Sequence, residues 1–427
     1  MRNKLWPKKK ISWLFDVIGS GTTPSASNEM YYDSPDMAWL NTGDLTDSYI
    51  EKTSKYVSQQ ALDKFSALTI FPKDSLVMAM YGATIGKLGI TKYETTTNQA
   101  CCVLSKPRGV ITKFIFYWLM GHRTEIINLS HGGGQPNISQ GIIRNIRIAI
   151  PPLELQSKIV TFVDKKFEET NQLINKKEKM IKLLELQRQS IITEAVTKGL
   201  NPNVKMKDSG VEWIGEIPEH WGTKKIKYLI QEKLLYGANE SAELDDEKLP
   251  RYIRITDIDE LGNLKNETFK SIPLDIANKY VVKKGDILLA RSGATVGKSY
   301  IHKEEKEASY AGYLIKLRVR TLELAEYIYY FTNSSLYKQW INSILIQATI
   351  QNVSAEKYAN LSIPVPNDEN EIKSILLNIK FKEKEILEVI NKLKEQIEKL
   401  KEYRQSLIYE AVTGKIDVRD MELDEVR

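Results

Sequence analysis

Residues 188–197 read RQSIITEAVT, and residues 404–413 read RQSLIYEAVT. A repeat like this constrains the fold more than any other feature, because a duplicated unit must be built twice on one plan. Further matches keep the same order at nearly the same offset. Trp6 followed by Lys9, Lys10 and Ile11 is echoed by Trp221 followed by Lys224, Lys225 and Ile226. GATIGK at 82–87 is echoed by GATVGK at 293–298. Asn137-Ile-Ser139 is echoed by Asn352-Val-Ser354, and Ile148-Ala-Ile-Pro151 by Ile363-Pro-Val-Pro366. The chain of 427 residues is one unit written twice, with a period of about 215 residues.

Each unit has two parts. In 1–152 and 211–367, short β-branched and aromatic runs alternate with Gly, Pro and Asn punctuation. There 75–80, 286–290 and 314–319 read as strands, and 114–129 and 324–341 as helices. Each first part is thus an α+β domain. The second part is a long helix, 153–198 and 368–414, with 199–210 as a linker and 415–427 as a C-terminal tail. Pro151-Pro152 and Pro364/Pro366 end the preceding strands, and no proline or glycine interrupts either helix before Gly199 and Gly414. In the second helix Ile372, Ile379, Ile386, Leu393, Leu400 and Leu407 form one seam, and Leu376, Ile390 and Ile397 its partner. Seven-residue spacing is the coiled-coil signature. The first helix matches with Val160, Phe167, Ile174 and Ile181 beside Val163, Leu184 and Ile191, a seam weakened by Thr170 and Lys177. Arg188 and Arg404 occupy corresponding seam positions, open to an intrachain contact or a partner contact.

A helix of about 40 residues rising 1.5 Å per residue is roughly 60 Å long. The linker is short and turn-rich, so a second helix packed along the first must return antiparallel. The expected architecture is two similar heads on two long antiparallel helices, a dumbbell with pseudo-two-fold internal symmetry. Such an object suits duplex DNA, which is two-fold in backbone but asymmetric in content. The segments 20–32 and 236–249 differ between copies, as do 130–136 and 343–351. Loops held on a rigid scaffold commonly carry recognition, so the heads are expected to read different sequences.

Composition narrows the function classes. The net charge of +6, from 61 basic and 55 acidic residues, is uneven: 1–152 carries 17 basic and 11 acidic residues, and 211–366 carries 21 of each. A local basic excess is the footprint of a polyanionic partner. The apolar run 114–120 is too short to span a bilayer, and Asp16 interrupts the run behind Lys8–Lys10, so neither membrane insertion nor a signal peptide is expected. Cys101 and Cys102 are adjacent, which excludes a disulfide framework and suits the cytoplasm. Four dispersed histidines offer no zinc-site spacing.

Catalytic motifs are missing. GATVGKS has three residues between its glycines where a P-loop needs four, and its twin has Leu88 after the lysine. Pro151-Pro152 lies between Ile150 and Leu153, unlike the Asn/Asp-Pro-Pro-aromatic loop of an adenine methyltransferase. Pro35-Asp36 is not followed by Asp/Glu-x-Lys before residue 75. The alternative to a DNA reader is a coiled-coil scaffold without direct DNA reading.

Residues 211–221 (VEWIGEIPEHW), the doubled GAT[I/V]GK, Gln135-Pro-Asn-Ile-Ser139 and the doubled RQS…EAVT resemble the DNA-specificity (S) subunit of Type I restriction–modification systems, over essentially the whole chain. The first copy lacks a counterpart of 211–216. The resemblance implies two target-recognition domains, each reading half of a split double-stranded DNA site across an unread spacer. It implies two methyltransferase (M) subunits docked on the long helices, with restriction (R) subunits joining them. S-adenosylmethionine, ATP and magnesium are expected only in those partners, and this chain is expected to be non-catalytic.

Base edges are read best by Arg, Lys, Asn and Gln. The DNA-binding candidates of the first head are Asn41, Gly82, Lys87, Asn98, Gln99, Gln135 and Asn137. Those of the second are Arg254, Arg291, Gly293, Lys298, Gln347, Gln351 and Asn352. The glycine loops either present amides and Lys87 or Lys298 to a phosphate or merely form tight turns. Asn137 and Asn352 either read or cap. Arg318 and Arg320 are expected to face solvent from a strand. Arg188, Ser190, Glu194, Arg404, Ser406 and Glu410 are the partner-docking candidates, open to the bland alternative that the repeat keeps its own packing there.

Overall fold

The structure is a computed structural model that describes residues 6–130, 137–259, 262–293, 295–346 and 352–419. It divides into two compact units, Met1–Lys177 with Lys394–Arg427, and Glu178–Leu393. Each unit therefore holds one head, the start of that head's own long helix and the end of the other one.

The head of the first unit is built on a five-stranded sheet ordered Phe15–Gly19, Cys101–Pro107, Leu76–Ala79, Leu88–Thr91 and Ser48–Ile50. The head of the second has four strands, Leu235–Tyr236, Leu314–Leu317, Ile287–Ala290 and Ser299–Ile301. Their central ladders coincide residue for residue. Leu76 faces Leu104 and Ala79 faces Cys101, as Ile287 faces Leu317 and Ala290 faces Leu314. Lys9 pairs with Ile148 exactly where Lys224 pairs with Ile363. A parallel pair, Trp39 with Thr96, recurs as Tyr252 with Ser309. A one-residue slip would send every side chain to the wrong face, so equal register means that equivalent positions face the same way in both heads. Cys101 and Cys102 illustrate the alternation: both are buried, one on each side of the sheet.

The sequence-predicted helices 114–129 and 324–341 are each broken in two. The first splits into Thr112–Gly121 and Arg123–Ile127, with His122 at φ −101°, ψ 18°. The second splits into Leu322–Phe331 and Ser335–Ile346. Short polar side chains turn the chain there, Thr332 donating to the Tyr329 carbonyl and Ser334 accepting from the Tyr337 amide at 3.2 Å.

The long helices run Leu153–Lys198 and Glu369–Val412. Within the first unit they are antiparallel: Lys177 donates to Gln396 at 2.6 Å, and Arg404 to Asn171 at 2.7 Å. Within the second unit Arg188 pairs with Glu383, and Gly199 lies beside Glu371. The seam of the second helix is buried at Ile372, Ile379, Ile386, Ile390, Leu393, Ile397 and Leu407. That of the first is half-buried at Val160, Phe167, Ile181, Leu184 and Ile191, matching its weaker pattern.

The doubled RQS…EAVT has a structural use. Leu407, Ile408, Ala411 and Val412 join the core of the first head, and Ile192, Ala195 and Val196 join that of the second. Each buried Val, Leu or Ile contributes about 1.5–3 kcal/mol relative to exposure. Tyr327 donates to the Val196 carbonyl at 2.9 Å, and Gln405 donates to the Met120 carbonyl at 2.8 Å. Each head is thus closed by the far end of the other head's helix.

Arg318 does not face solvent. Its guanidinium donates to Asp286 at 2.7 Å and lies 3.3 Å from Glu232, while Lys316 approaches Glu232 at 3.1 Å. Asp286 is buried and needs that partner. The first head has Ser75 and Ser105 at the equivalent places. Arg320 is exposed.

Candidate nucleic-acid interface

In both heads the end of the sheet where the strands Leu76–Ala79 and Ile287–Ala290 finish, called its edge below, carries the glycine loop. The strand Leu76–Ala79 runs into the glycine loop, which starts with a turn at Gly82–Thr84. Met80 donates to the Ala100 carbonyl at 2.9 Å and accepts from the Ile138 amide at 2.8 Å, and Tyr81 bridges Asn137. The second head repeats this: Arg291 donates to the Tyr313 carbonyl at 3.0 Å and accepts from Val353 at 2.8 Å, and Ser292 bridges Asn352. Gly82 and Gly293 have φ near +79° and +77° and are exposed at the loop tips. Gly86 and Gly297 also have positive φ, and a Cβ there would meet Ile127 at 3.2 Å and Ile341 at 2.9 Å. These loops are tight turns clamped to the helices Arg123–Ile127 and Ser335–Ile346.

In the first head Asn98 donates to Asn41 at 3.1 Å and accepts from the Ala100 amide, while Asn41 donates to the Trp39 carbonyl at 3.1 Å. Both amides are engaged within the protein. Gln99 is exposed, and its Oε1 accepts from Thr23 at 2.6 Å. Lys87 is exposed at the foot of the loop. In the second head Arg291 lies 4.6 Å over the Tyr236 ring and donates to Asn352 at 3.4 Å. Arg254 is tied to buried Asp257, donating to its carboxylate at 2.6 and 3.0 Å, and to the Thr268 carbonyl at 2.9 Å. The hydrogen bonds to Asp257 raise the Arg254 pKa above its usual value. Lys298 donates to the Ile258 carbonyl at 2.7 Å. The capping is done not by Asn137 and Asn352 but by Ser139 and Ser354, which accept from the Ile142 and Lys357 amides. Gln135, Gln347 and Gln351 lie outside the described residues, as do most of the loops 130–136 and 343–351.

Two features of this edge escape the sequence reading. Gly21 and Gly237 each press against the neighbouring strand: a Cβ would fall 1.8 Å from the Thr97 carbonyl oxygen and 2.3 Å from that of Tyr310. Asp44 and Asp257 each accept from the backbone amide three residues earlier, Asn41 at 2.9 Å and Arg254 at 2.8 Å. The signals were a glycine shared by otherwise unlike loops, and an aspartate at equal spacing. A cleft of about 550 Å³ beside the first edge is lined by Tyr32, Trp39, Lys55 and Tyr56 among others.

The docking candidates divide. Arg188 is bound to Glu383, and Arg404 stacks 4.5 Å over Phe167, so both serve the intrachain seam. Ser190, Glu194 and Ser406 are exposed, and Glu410 is half-buried. Among the described residues no group of three or more His, Cys, Asp or Glu could hold a metal ion, and no helix is long and apolar enough to cross a membrane.

Comparison with known proteins agrees with this doubled architecture. The Type I restriction enzyme MjaVIII specificity subunit of Methanocaldococcus jannaschii is 26% identical over 385 residues, covering 86% of each chain. The MjaIX specificity subunit of the same organism is 23% identical over 431 residues, covering 98% of this chain and 95% of its own. A solved chain from work on complex assembly and conformational transition of the type I R-M system shares the fold. Its TM-score is 0.67 at 14% identity, over 97% of this chain and 100% of that one. The family described as the Type I restriction modification DNA specificity domain matches residues 3–183 and 218–407, thus both heads and most of both helices. The chain belongs to the Type I restriction–modification DNA-specificity subunits, proteins whose role is to recognise DNA sequence.

Proposed function

We propose that each head reads one half of a bipartite, asymmetric DNA site through the edge described above. The observation that carries this is equal register beneath unequal side chains. The same ladder ends in Met80, Asn98 and Gln99 in one head, and in Arg291, Ala311 and Gly312 in the other. Phosphate contacts from exposed lysines such as Lys87 position the duplex, and base-edge contacts specify it. The chain carries no chemistry of its own. Methylation, with S-adenosylmethionine, belongs to two M subunits docked at the helix ends around Ser190, Glu194, Ser406 and Glu410. Cleavage, with ATP and magnesium, belongs to R subunits, and the assembly works in the cytoplasm.

The test is selection from randomised duplexes by the full chain in complex with its methyltransferase subunits. The expected motif is two short blocks separated by an unread gap of constant length, with binding that weakens as salt rises. A single contiguous block would contradict the two-headed reading. Absence of DNA binding even in the complex would favour the scaffold.

A further inference from the structure

We infer that Arg291 is the specificity-determining residue of the second head, reading a guanine, and that Tyr236 positions it. The inference rests on the reading above and goes further by naming a residue and a base. Arg291 begins the glycine loop, directly after the strand Ile287–Ala290. Its backbone is fixed on both sides, by the Tyr313 carbonyl and the Val353 amide. Its guanidinium is fixed too, 4.6 Å over the Tyr236 ring, with Nε donating to Asn352 Oδ1 at 3.4 Å. That leaves the two terminal Nη groups, for which no hydrogen-bond partner is found among the described residues. Tyr313 is 69% exposed and Tyr236 is 41% exposed, so this edge is open to solvent.

A guanidinium held over an aromatic ring by its inner nitrogen, with both terminal nitrogens left to donate, is pre-organised for a bidentate pair. In the major groove only guanine offers two adjacent acceptors, O6 and N7, to such a fork. The first head has Met80 at the equivalent position, 6% exposed within its core. The two edges therefore differ at this point as a charged donor differs from an apolar plug. A phosphate would also attract Arg291, but a phosphate contact carries no sequence information, and that difference is measurable.

The experiment repeats the duplex selection with R291A, R291Q, Y236A and Y236F, each in the full complex. The wild-type half-site of the second head is expected to contain an invariant guanine. R291A should lower discrimination at that one position by about 10- to 100-fold and leave the other half unchanged. R291Q should move the preference there towards adenine, the base that glutamine pairs with. Y236A should relax the same position, and Y236F, which keeps the ring, should retain most of the discrimination. Uniform weakening across all sequences with a shallower salt dependence would make Arg291 a phosphate contact and overturn the inference. So would a second half-site without guanine, or one unchanged in R291A. In those cases, if exchanging the whole edge of the second head still alters its half-site, the bipartite reading survives. If that exchange changes nothing, both fall together.

Discussion

The His122 ring stacks on Trp118 at 3.9 Å between centroids and lies 4.9 Å from Tyr409, at the end of the second long helix where it closes the first head. Its Nδ1 donates to the Trp118 carbonyl at 2.9 Å. Burial holds its pKa below the usual 6.5, against smaller opposing pulls from that carbonyl and from Glu125. A folded-state pKa below the unfolded one means that folding favours the neutral ring. The stability it confers is complete above pH 6.5 and is lost as pH falls through the lowered value. The unfolding midpoint of the first unit should therefore drop between about pH 7.5 and about pH 5.5, and drop less in H122F. Equal drops in the two proteins would show that other groups carry the acid sensitivity.

At the scale of elements, the second unit is locked by Arg188, Glu383 and Tyr330. Arg188 donates to Glu383 Oε1 at 2.7 Å, and Tyr330 donates to Oε2 at 3.0 Å. Removing the Glu383 charge strands a half-buried guanidinium, which should cost about 1–3 kcal/mol. Urea unfolding of E383Q is expected to show this loss in the transition of the second unit. An unchanged transition would mean that water replaces the pair. The long helices themselves were legible from sequence, because prolines and glycines bound them and a seven-residue apolar spacing fills them. Their shared ends were legible too, as a doubled motif, but not their docking onto the opposite head, which no local pattern encodes. The breaks at His122 and at Thr332–Ser334 were hidden because apolar residues resume after the short polar stretches 121–125 and 332–335, which a single amphipathic helix would carry equally well. The burial of Arg318 was not legible because its partner Asp286 sits just before the strand Ile287–Ala290, far off in sequence, and only the fold brings the two charges together. At the edge, candidate types were legible, but sequence could not tell Asn41 and Asn98, whose amides are engaged with each other and with the backbone, from Gln99 and Arg291, whose outer groups are available.

For the whole molecule, two heads share one scaffold in one register and present different residues at the same edge. That arrangement makes specificity modular: what changes at one edge need not disturb the ladder below it, since the central strands pair in the same register in both heads. It also explains why each head is closed by a helix end belonging to the other copy, for neither core is complete without it. Mapping methylated bases genome-wide is the most direct measurement of the central claim. It would compare the wild type with a chain in which the first head's edge segments, 20–32 and 98–99, are exchanged for those of a relative of different specificity. The expected result is a new sequence in one half of the site, with the other half and the gap between them unchanged. A site altered in both halves at once would contradict independent heads.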